Sequence, residues 1–191
     1  MDVEIREVKD SLQQREFIRF PYRLYRNTPN WLPPLLRDER KFYNPAKNTG
    51  FAACDTVRFC AYRHGSMTGR IMGIIHHQYN KLHHEKTGRF FAFDCMEDRE
   101  SAWALLRAVE SWCRSKGMKQ VVGPFGFSDK DPQGTMIYGF DQRGTIIAPY
   151  SHSYYMEFIA GCGYTKMVDL VEYLVAVPAE VPEFYVKICG R

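Results

Sequence analysis

The chain has 191 residues, 45% of them apolar and 25% charged, which is the composition of an ordinary globular domain. The net charge of +4 comes from basic residues scattered among acidic ones, so the sequence predicts no nucleic-acid partner. No apolar run approaches the roughly 20 residues that span a bilayer, and the alternating, charged N-terminus is unlike a signal peptide. We therefore expect a cytoplasmic protein without a nucleic-acid or membrane partner.

The six cysteines form no C-x-x-C pair, and most lie within apolar patterns. A chain with this much core has little need of a disulfide scaffold, so we expect buried free thiols. Two histidine pairs, at residues 76–77 and 83–84, raise the question of a metal. Their spacing is not that of an established zinc site, and no cysteine or carboxylate cluster completes it. The sequence therefore predicts no bound metal.

The first quarter of the chain predicts one strand and two helices. Residues 3–8 alternate apolar and charged side chains, which indicates an edge strand. Residues 11–14 offer an S-x-x-Q capping box for a helix that we expect Pro21 to interrupt. A short second helix is expected to begin at residues 33–34, because proline is favoured in a first turn.

The middle of the chain predicts strands over residues 57–65, 68–79 and 89–95. A hairpin turn joins the first two, and a polar connection leads to the third. Residues 99–116 repeat apolar side chains at three- and four-residue spacing and predict an amphipathic helix. A cation in its last turn and a glycine after it are typical of a helix end. A short strand over residues 119–125 follows.

The last third predicts an irregular, glycine-rich segment over residues 123–150, a short helix within 153–164 and a long final strand over 166–178. We assign residues 1–178 to one domain and residues 179–191 to a C-terminal tail, the start of a missing segment. The order of elements predicts a mixed, mostly antiparallel α/β sheet of six or seven strands with helices on both faces.

Several separated blocks occur in a recognisable order. They are "FPYRLYRNTPNWLPPL", "GRIMGIIHHQYN", "FFAFD…AWALLRAVESWCRSKGMKQVVGP", "GPFGFSDKDPQG", "GFDQ" and "YYMEFIAGCGYTK". Together they resemble the GNAT acyltransferase superfamily, and within it a bacterial branch of unknown substrate whose members are generally longer. The resemblance covers nearly the whole chain. It implies a sheet splayed between the fourth and fifth strands, and N-acyl transfer from acetyl-CoA or another acyl-CoA to a small-molecule amine.

In GNAT proteins the pantetheine arm of CoA pairs with the fourth strand, and the pyrophosphate sits on the amides that begin the next helix. The physical basis is the unpaired N–H groups and the positive end of the helix dipole. The resemblance therefore assigns CoA contacts to the end of the fourth strand, the turn after it and the end of the fifth strand. The residues are Phe93, Cys95, Asp98, Arg99, Gly123 and Pro124.

One departure concerns the phosphate loop. A GNAT phosphate loop is rich in glycine, whereas residues 96–102 here read M-E-D-R-E-S-A and contain none. Asp98 is placed to cap the following helix itself, Glu97 and Glu100 would repel a phosphate, and Arg99 is the only nearby compensating cation. The sequence therefore keeps open a second function, a non-catalytic GNAT-fold module that binds a ligand or partner.

The other departure concerns proton transfer. Many GNAT enzymes carry a tyrosine four residues before the glycine of a late Gly-Phe pair, where it protonates the departing thiolate. That position here is Ile159. Tyr154 and Tyr155 lie one to two helical turns earlier, where either could reach the cleft, and we select Tyr155 as the candidate. The candidates for the general base are His76, His77, Asp94 and His152, of which we select His77 and Asp94.

The acceptor side is less well marked. The resemblance implies that Tyr25 and Trp31 form a wall of the acceptor site, although aromatic residues there are equally expected in a core. Asp129 and Asp141 lie in the long irregular segment, and such loops are often functional, although "DKDPQG" is also ordinary turn chemistry. The apolar spacing in the tail predicts a surface that a homodimer would cover.

Overall fold

The computed structural model describes residues 2–145, 148–173 and 175–189. Five strands form one sheet in the order β1-β2-β3-β4-β5. The strands are β1 Glu4–Glu7, β2 Cys54–Arg63, β3 Ser66–His76, β4 Thr87–Cys95 and β5 Gln120–Val122. The first three pairings are antiparallel and the β4–β5 pairing is parallel. The predicted mixed, mostly antiparallel sheet is confirmed, with five described strands instead of six or seven.

Helices cover both faces of this sheet, as predicted. The described α-helices are α1 Ser11–Leu24, α2 Leu36–Phe42, α3 His77–His83, α4 Arg99–Ser115, α5 Tyr155–Gly161 and α6 Glu183–Cys189, with a 3₁₀ turn over Thr49–Ala53. Side chains of α4 and α5 form one core cluster with the sheet, and side chains of α1 form the other. The sheet is therefore the middle of three layers.

Helix α4 forms where the apolar spacing predicts it. Its buried apolar side chains are Ala102, Leu105, Leu106, Val109 and Cys113. Asp98 caps its first turn, and Gly117 follows its end with a φ of +80°, the left-handed region that glycine adopts freely. The helix therefore has a start and a stop encoded by single residues as well as an apolar face.

Helix α1 differs from its prediction at both ends. Its capping box is built by Asp10 and Gln13, one residue before the predicted pair. Pro21 does not interrupt the helix, which continues to Leu24. Proline cannot donate to the carbonyl four residues earlier, and that carbonyl, Phe17 O, accepts instead from an Arg70 Nη at 2.9 Å. A side chain thus replaces the hydrogen bond that proline removes.

Three further elements differ. Helix α2 begins at Leu36 and not at Pro33, and the connection predicted as polar loop contains α3. The final strand predicted over residues 166–178 is wrong for the described residues, because none of them joins the sheet. Strand β5 is only three residues long and offers them no edge of matching length. Most residues after Tyr164 are exposed, and the domain boundary at 178 stays a prediction.

The structure also shows the state of the cysteines and the character of the helices. All six cysteines are free, and three of them, Cys60, Cys95 and Cys113, are buried. Among the described residues, no helix combines the length and apolar character needed to cross a membrane.

Candidate active site

The sheet opens along β4. Strand β5 pairs with β4 only over Thr87–Arg89. At the next residue, the chain after β5 crosses close to β4, since a Cβ on Gly123 would collide with the Phe90 carbonyl oxygen. The N–H of Phe125 donates to the same oxygen at 2.8 Å. Beyond this point β5 diverges from β4, and among the described residues no strand pairs with the second half of β4 on that side. The predicted splay is therefore present, and Gly123 permits close approach, here of β4 itself.

A β-bulge lies in the open half of β4. The register with β3 shifts between Arg70 and Met72, which pair with Asp94 and Phe91. Ala92 has a φ of +49°, a left-handed conformation that costs a non-glycine residue about 1–2 kcal/mol. Bulges re-aim side chains and are frequent beside active sites. The following side chain, Phe93, joins the α4 cluster, while the next one, Asp94, faces Arg70.

Asp94 is the centre of a buried polar network. The Nε of Arg70 donates to one carboxylate oxygen at 2.7 Å, and the Tyr25 hydroxyl donates to the other at 3.0 Å. All three residues are at least nine-tenths buried. Burial and the neighbouring Asp94 charge raise the pKa of Tyr25 well above its usual value, so its hydroxyl is a neutral donor. Asp94 is thus held rigidly and is enclosed.

Two tyrosines from the start of α5 take the place of a strand at the end of β4. The N–H of Cys95 donates to the Tyr155 hydroxyl oxygen at 2.8 Å, and the Tyr154 hydroxyl donates to the Cys95 carbonyl at 2.9 Å. The Tyr155 hydroxyl also lies 3.0 Å from that of Tyr25. Tyr155 is 2% exposed, so the structure places the predicted acid inside the core, and its catalytic role stays a prediction.

His152 stands against this end of β4. Its ring stacks on Tyr25 with centroids 4.7 Å apart and on Tyr154 with centroids 5.1 Å apart. The residue is half-buried. Burial lowers the pKa of His152, and the charges of Asp94 and Glu97 oppose the shift. At neutral pH the imidazole is therefore uncharged and able to accept a proton.

The other two histidine candidates lie at the opposite end of the sheet. His76 ends β3, and its ring accepts from the Tyr79 N–H at the start of α3. His77 is exposed, with Nε2 3.1 Å from an Asp55 carboxylate oxygen. The structure therefore brings together Asp94, Tyr155 and His152, and it does not bring His77 to them.

An aromatic wall, formed by Tyr25, Trp31, Tyr150, His152 and Tyr154, borders the site. Trp31 stacks on Tyr25 with centroids 5.2 Å apart, and Tyr150 meets Tyr25 edge-on at 6.3 Å. The two predicted acceptor residues, Tyr25 and Trp31, are therefore in contact. Tyr25 is fully buried, as expected of a core residue, and Trp31 is partly exposed. Their role in acceptor binding stays a prediction.

The long irregular segment is tied to the same wall. The Asn30 side chain donates to the Phe140 carbonyl at 3.1 Å, and the Gly144 N–H donates to the Asn30 carbonyl at 3.1 Å. Asp129 and Asp141 are exposed on this segment, at separate places. The structure positions both on the surface, and their substrate role stays a prediction.

The first part of that segment, residues 123–134, is a folded turn. Asp131 accepts from the Phe127 N–H at 2.7 Å and the Ser128 N–H at 3.1 Å. The buried Arg89, on β4, donates to the carbonyls of Gly126 and Phe127. The described hydrogen bonds of Asp131 are therefore those of a turn residue.

The acidic turn before α4 closes on itself. Asp98 accepts from the Ser101 hydroxyl at 2.7 Å and more distantly from its N–H. Arg63, from the end of β2, pairs with Asp98 at 3.0 Å and also with Glu100. Arg99 lies over the Trp103 ring. The predicted cap is confirmed, but the cation that compensates it is Arg63. The residues present do not fit a pyrophosphate at this helix start, because a carboxylate occupies it.

Sequence reasoning missed two arginines, Arg70 and Arg63. Arg70 interrupts the apolar run of β3, and a lone charge within a buried strand is a signal for a buried partner. Arg63 gave no local signal, because its partner Asp98 is 35 residues away.

No three His, Cys, Asp or Glu side chains of the described residues form a group that could hold a metal ion.

Solved structures with this architecture decide the fold. The structure of AAC(6')-Iy in complex with the bisubstrate analogue CoA-S-monomethyl-acetylneamine matches with a TM-score of 0.55 and 12% identity, covering 93% of this chain and 100% of that one. Glucosamine-6-phosphate N-acetyltransferase from Arabidopsis thaliana matches with a TM-score of 0.52 and 12% identity over 92% and 100%. This chain has the GNAT acetyltransferase fold. A putative acetyl transferase from Pyrococcus furiosus also matches this chain, with a TM-score of 0.52 and 13% identity over 91% and 100%.

Sequence relatives add a different kind of information. Protein YghO of Escherichia coli K12 is 33% identical over 157 residues, which cover 82% of this chain and 40% of that protein. A bacterial ceramide synthase of Caulobacter vibrioides is 28% identical over 183 residues, which cover 95% of this chain and 48% of that protein. The chain therefore spans less than half the length of these curated relatives. No protein-family model matches the sequence.

Proposed function

We propose that this chain transfers an acyl group from an acyl-CoA thioester to an amine at the open end of β4. One observation carries the proposal. On the side away from β3, no described strand pairs with the end of β4. Its Cys95 main-chain groups are held there by tyrosine hydroxyls that a ligand can replace, and the uncharged His152 stands beside it. A thioester laid along this edge would have a proton acceptor within the same wall.

The donor is recognised through its thioester arm. An amide of the pantetheine arm can take the place of the Tyr154 hydroxyl at the Cys95 carbonyl. The nucleotide end of CoA adds little binding energy, because Asp98 already caps α4 and Glu100 lies next to it. The GNAT neighbour solved with a CoA-containing analogue supports CoA as the carrier.

The acceptor that we propose is a long-chain amino alcohol. The Caulobacter relative is named a ceramide synthase, and a ceramide is the amide of a fatty acid with a long-chain amino alcohol. The aromatic wall offers such a molecule an apolar surface beside polar hydroxyls, since tyrosine and tryptophan combine both.

The chemistry is direct transfer. The amine nitrogen attacks the thioester carbonyl carbon, the C–N bond forms and the C–S bond breaks. His152 accepts the proton that the amine loses and returns a proton to the departing thiolate, so the imidazole ends uncharged. Asp94 does not touch the reactants in this scheme. It fixes Tyr25, and through Tyr25 the ring on which His152 stacks.

A second function is favoured by a specific observation. The pyrophosphate position is capped by Asp98, and both Cys95 main-chain groups already have partners. A module that no longer binds CoA would show these features. It would bind its ligand or partner without group transfer.

The test is amide formation by the purified chain, followed by mass spectrometry, with palmitoyl-CoA and a long-chain amino alcohol. The His152→Gln variant should lose about 10²- to 10⁴-fold in rate, the usual contribution of a general base. His83→Gln is the matched control, because His83 is exposed on α3 at the other end of the sheet. Equal rates for both variants would exclude His152 as the base, and no amide from the wild type would favour the non-catalytic module.

A further inference from the structure

The outer face of α1 carries a row of arginines. Arg15, Arg19 and Arg23 recur every four residues and are exposed. Four residues make slightly more than one helical turn, so the row runs along one side of α1 for about 12 Å. Between residues 11 and 26 the sequence has four arginines and one acidic residue, Glu16. This face is therefore strongly basic, although the charges of the whole chain nearly balance.

The row has no compensating carboxylate. Within the described ranges, none of these three arginines forms an ion pair. The acid on the same face, Glu16, accepts from the Tyr62 hydroxyl at 3.0 Å. By contrast, the arginines of the candidate active site are paired at 2.7 Å and 3.0 Å. The positive potential of the row is therefore directed to the exterior.

A shallow groove follows the row. Its volume is about 540 Å³, and its other lining residues are Leu12, Glu16, Tyr22 and Leu36. Leu12 in the groove is 67% exposed, and Leu35, the residue before the lining Leu36, is 65% exposed. Cationic and large apolar side chains thus share one face. That combination is typical of helices that lie in a membrane interface, where leucines enter the acyl boundary and arginines meet the phosphates.

We propose that this arginine face docks on a membrane leaflet rich in anionic phospholipid, with a lipid phosphate in the groove. Guanidinium groups match phosphate oxygens in a bidentate manner, and a row of three would meet several headgroups. An acidic protein surface would satisfy the arginines but would leave Leu12 and Leu35 without an apolar partner. The proposal departs from the expectation of no membrane partner, because scattered positions in the sequence become one face only when α1 forms. It does not depend on the proposed activity.

The test is sedimentation of the full chain with vesicles of phosphatidylcholine alone or with added phosphatidylglycerol. Binding should require phosphatidylglycerol and weaken as salt is raised, because exposed charges are screened. The triple variant Arg15→Gln, Arg19→Gln, Arg23→Gln should bind about a hundredfold more weakly, since each basic residue near an anionic surface contributes about fivefold in affinity. Inorganic phosphate at millimolar concentration should not compete.

Matched controls distinguish vesicle binding through the arginine face from non-specific attraction of positive charge. The variant Lys47→Gln, Lys86→Gln, Arg114→Gln removes the same charge from exposed positions elsewhere and should bind nearly as well as the wild type. Leu12→Asp should weaken binding, whereas Leu82→Asp, at a leucine that is 75% exposed on α3, should not. No binding to anionic vesicles, or equal loss in both triple variants, would overturn the proposal. So would undiminished vesicle binding by Leu12→Asp, which would leave only a charged surface suited to any polyanion.

Discussion

Two aspartate–arginine pairs lie four residues apart at the end of β4, and they differ mainly in burial. Asp94 and Arg70 are 2.7 Å apart with side chains 12% and 6% exposed, whereas Asp98 and Arg63 are 3.0 Å apart with side chains 22% and 26% exposed. The inner pair fixes Tyr25 and the aromatic wall. The outer pair closes the start of α4 against anions. Burial thus makes one pair structural and leaves the other to set which ligands can approach.

The largest expected effect comes from breaking the inner pair. Asp94→Ala leaves the Arg70 guanidinium buried without a counter-charge, which typically costs about 3–5 kcal/mol in the free energy of unfolding. The Tyr25 hydroxyl loses its acceptor in the same variant. Denaturation by urea, followed by circular dichroism, measures the loss.

The outer pair supplies the comparison for that measurement. Asp98→Ala removes a helix cap and a partly exposed ion pair, so about 1 kcal/mol should be lost. Similar losses for the two variants would show that burial does not separate the pairs, and would contradict the account of the site.

A smaller effect is expected from pH. In an unfolded chain His152 has the ordinary histidine pKa of about 6.5, and in the folded protein burial lowers it. Unfolding therefore takes up a proton below about pH 6.5, so the wild type loses stability as pH falls through this range, and full stability lies above it. The variant His152→Gln lacks this pH-dependent contribution to stability.

Melting temperatures at two pH values isolate the contribution of His152. Between about pH 7.5 and pH 5.5, the wild type should lose more than His152→Gln does, because the other histidines, including His76 with its own lowered pKa, are common to both. Parallel losses would mean that the imidazole is not desolvated in the stack.

Local signals in the sequence predicted the parts of the fold that depend on neighbours in the chain. The cap at Asp98, the apolar face of α4 and the glycine after it are all encoded within 20 residues, and each is present. The prediction of a final strand was wrong because alternation of apolar and polar residues indicates the two faces of a strand but does not show that a neighbouring strand is available. Here β5 offers an edge of only three residues. The prediction that Pro21 interrupts α1 was wrong because Arg70, far along the chain, supplies the missing hydrogen bond.

The candidate site was predictable to the extent that the fold was. The resemblance located the open end of β4, and Tyr25, Trp31, Asp94 and Tyr155 lie there in contact. His77 was selected for its residue type, and the antiparallel direction of β3 carries it to the other end of the sheet. The partners Arg63 and Arg70 depend on pairing between strands, which no local pattern specifies.

The most direct test of the central claim is calorimetric titration of the chain with acetyl-pantetheine and with acetyl-CoA. The claim is that the open end of β4 holds the thioester arm, while Asp98 denies the helix start to the phosphates. The two ligands should therefore bind with affinities within about threefold, and Asp98→Gly should tighten acetyl-CoA alone by about fivefold, which corresponds to one carboxylate at a helix dipole. No heat from either ligand at millimolar concentration, or acetyl-CoA binding far more tightly than acetyl-pantetheine to the wild type, would contradict it.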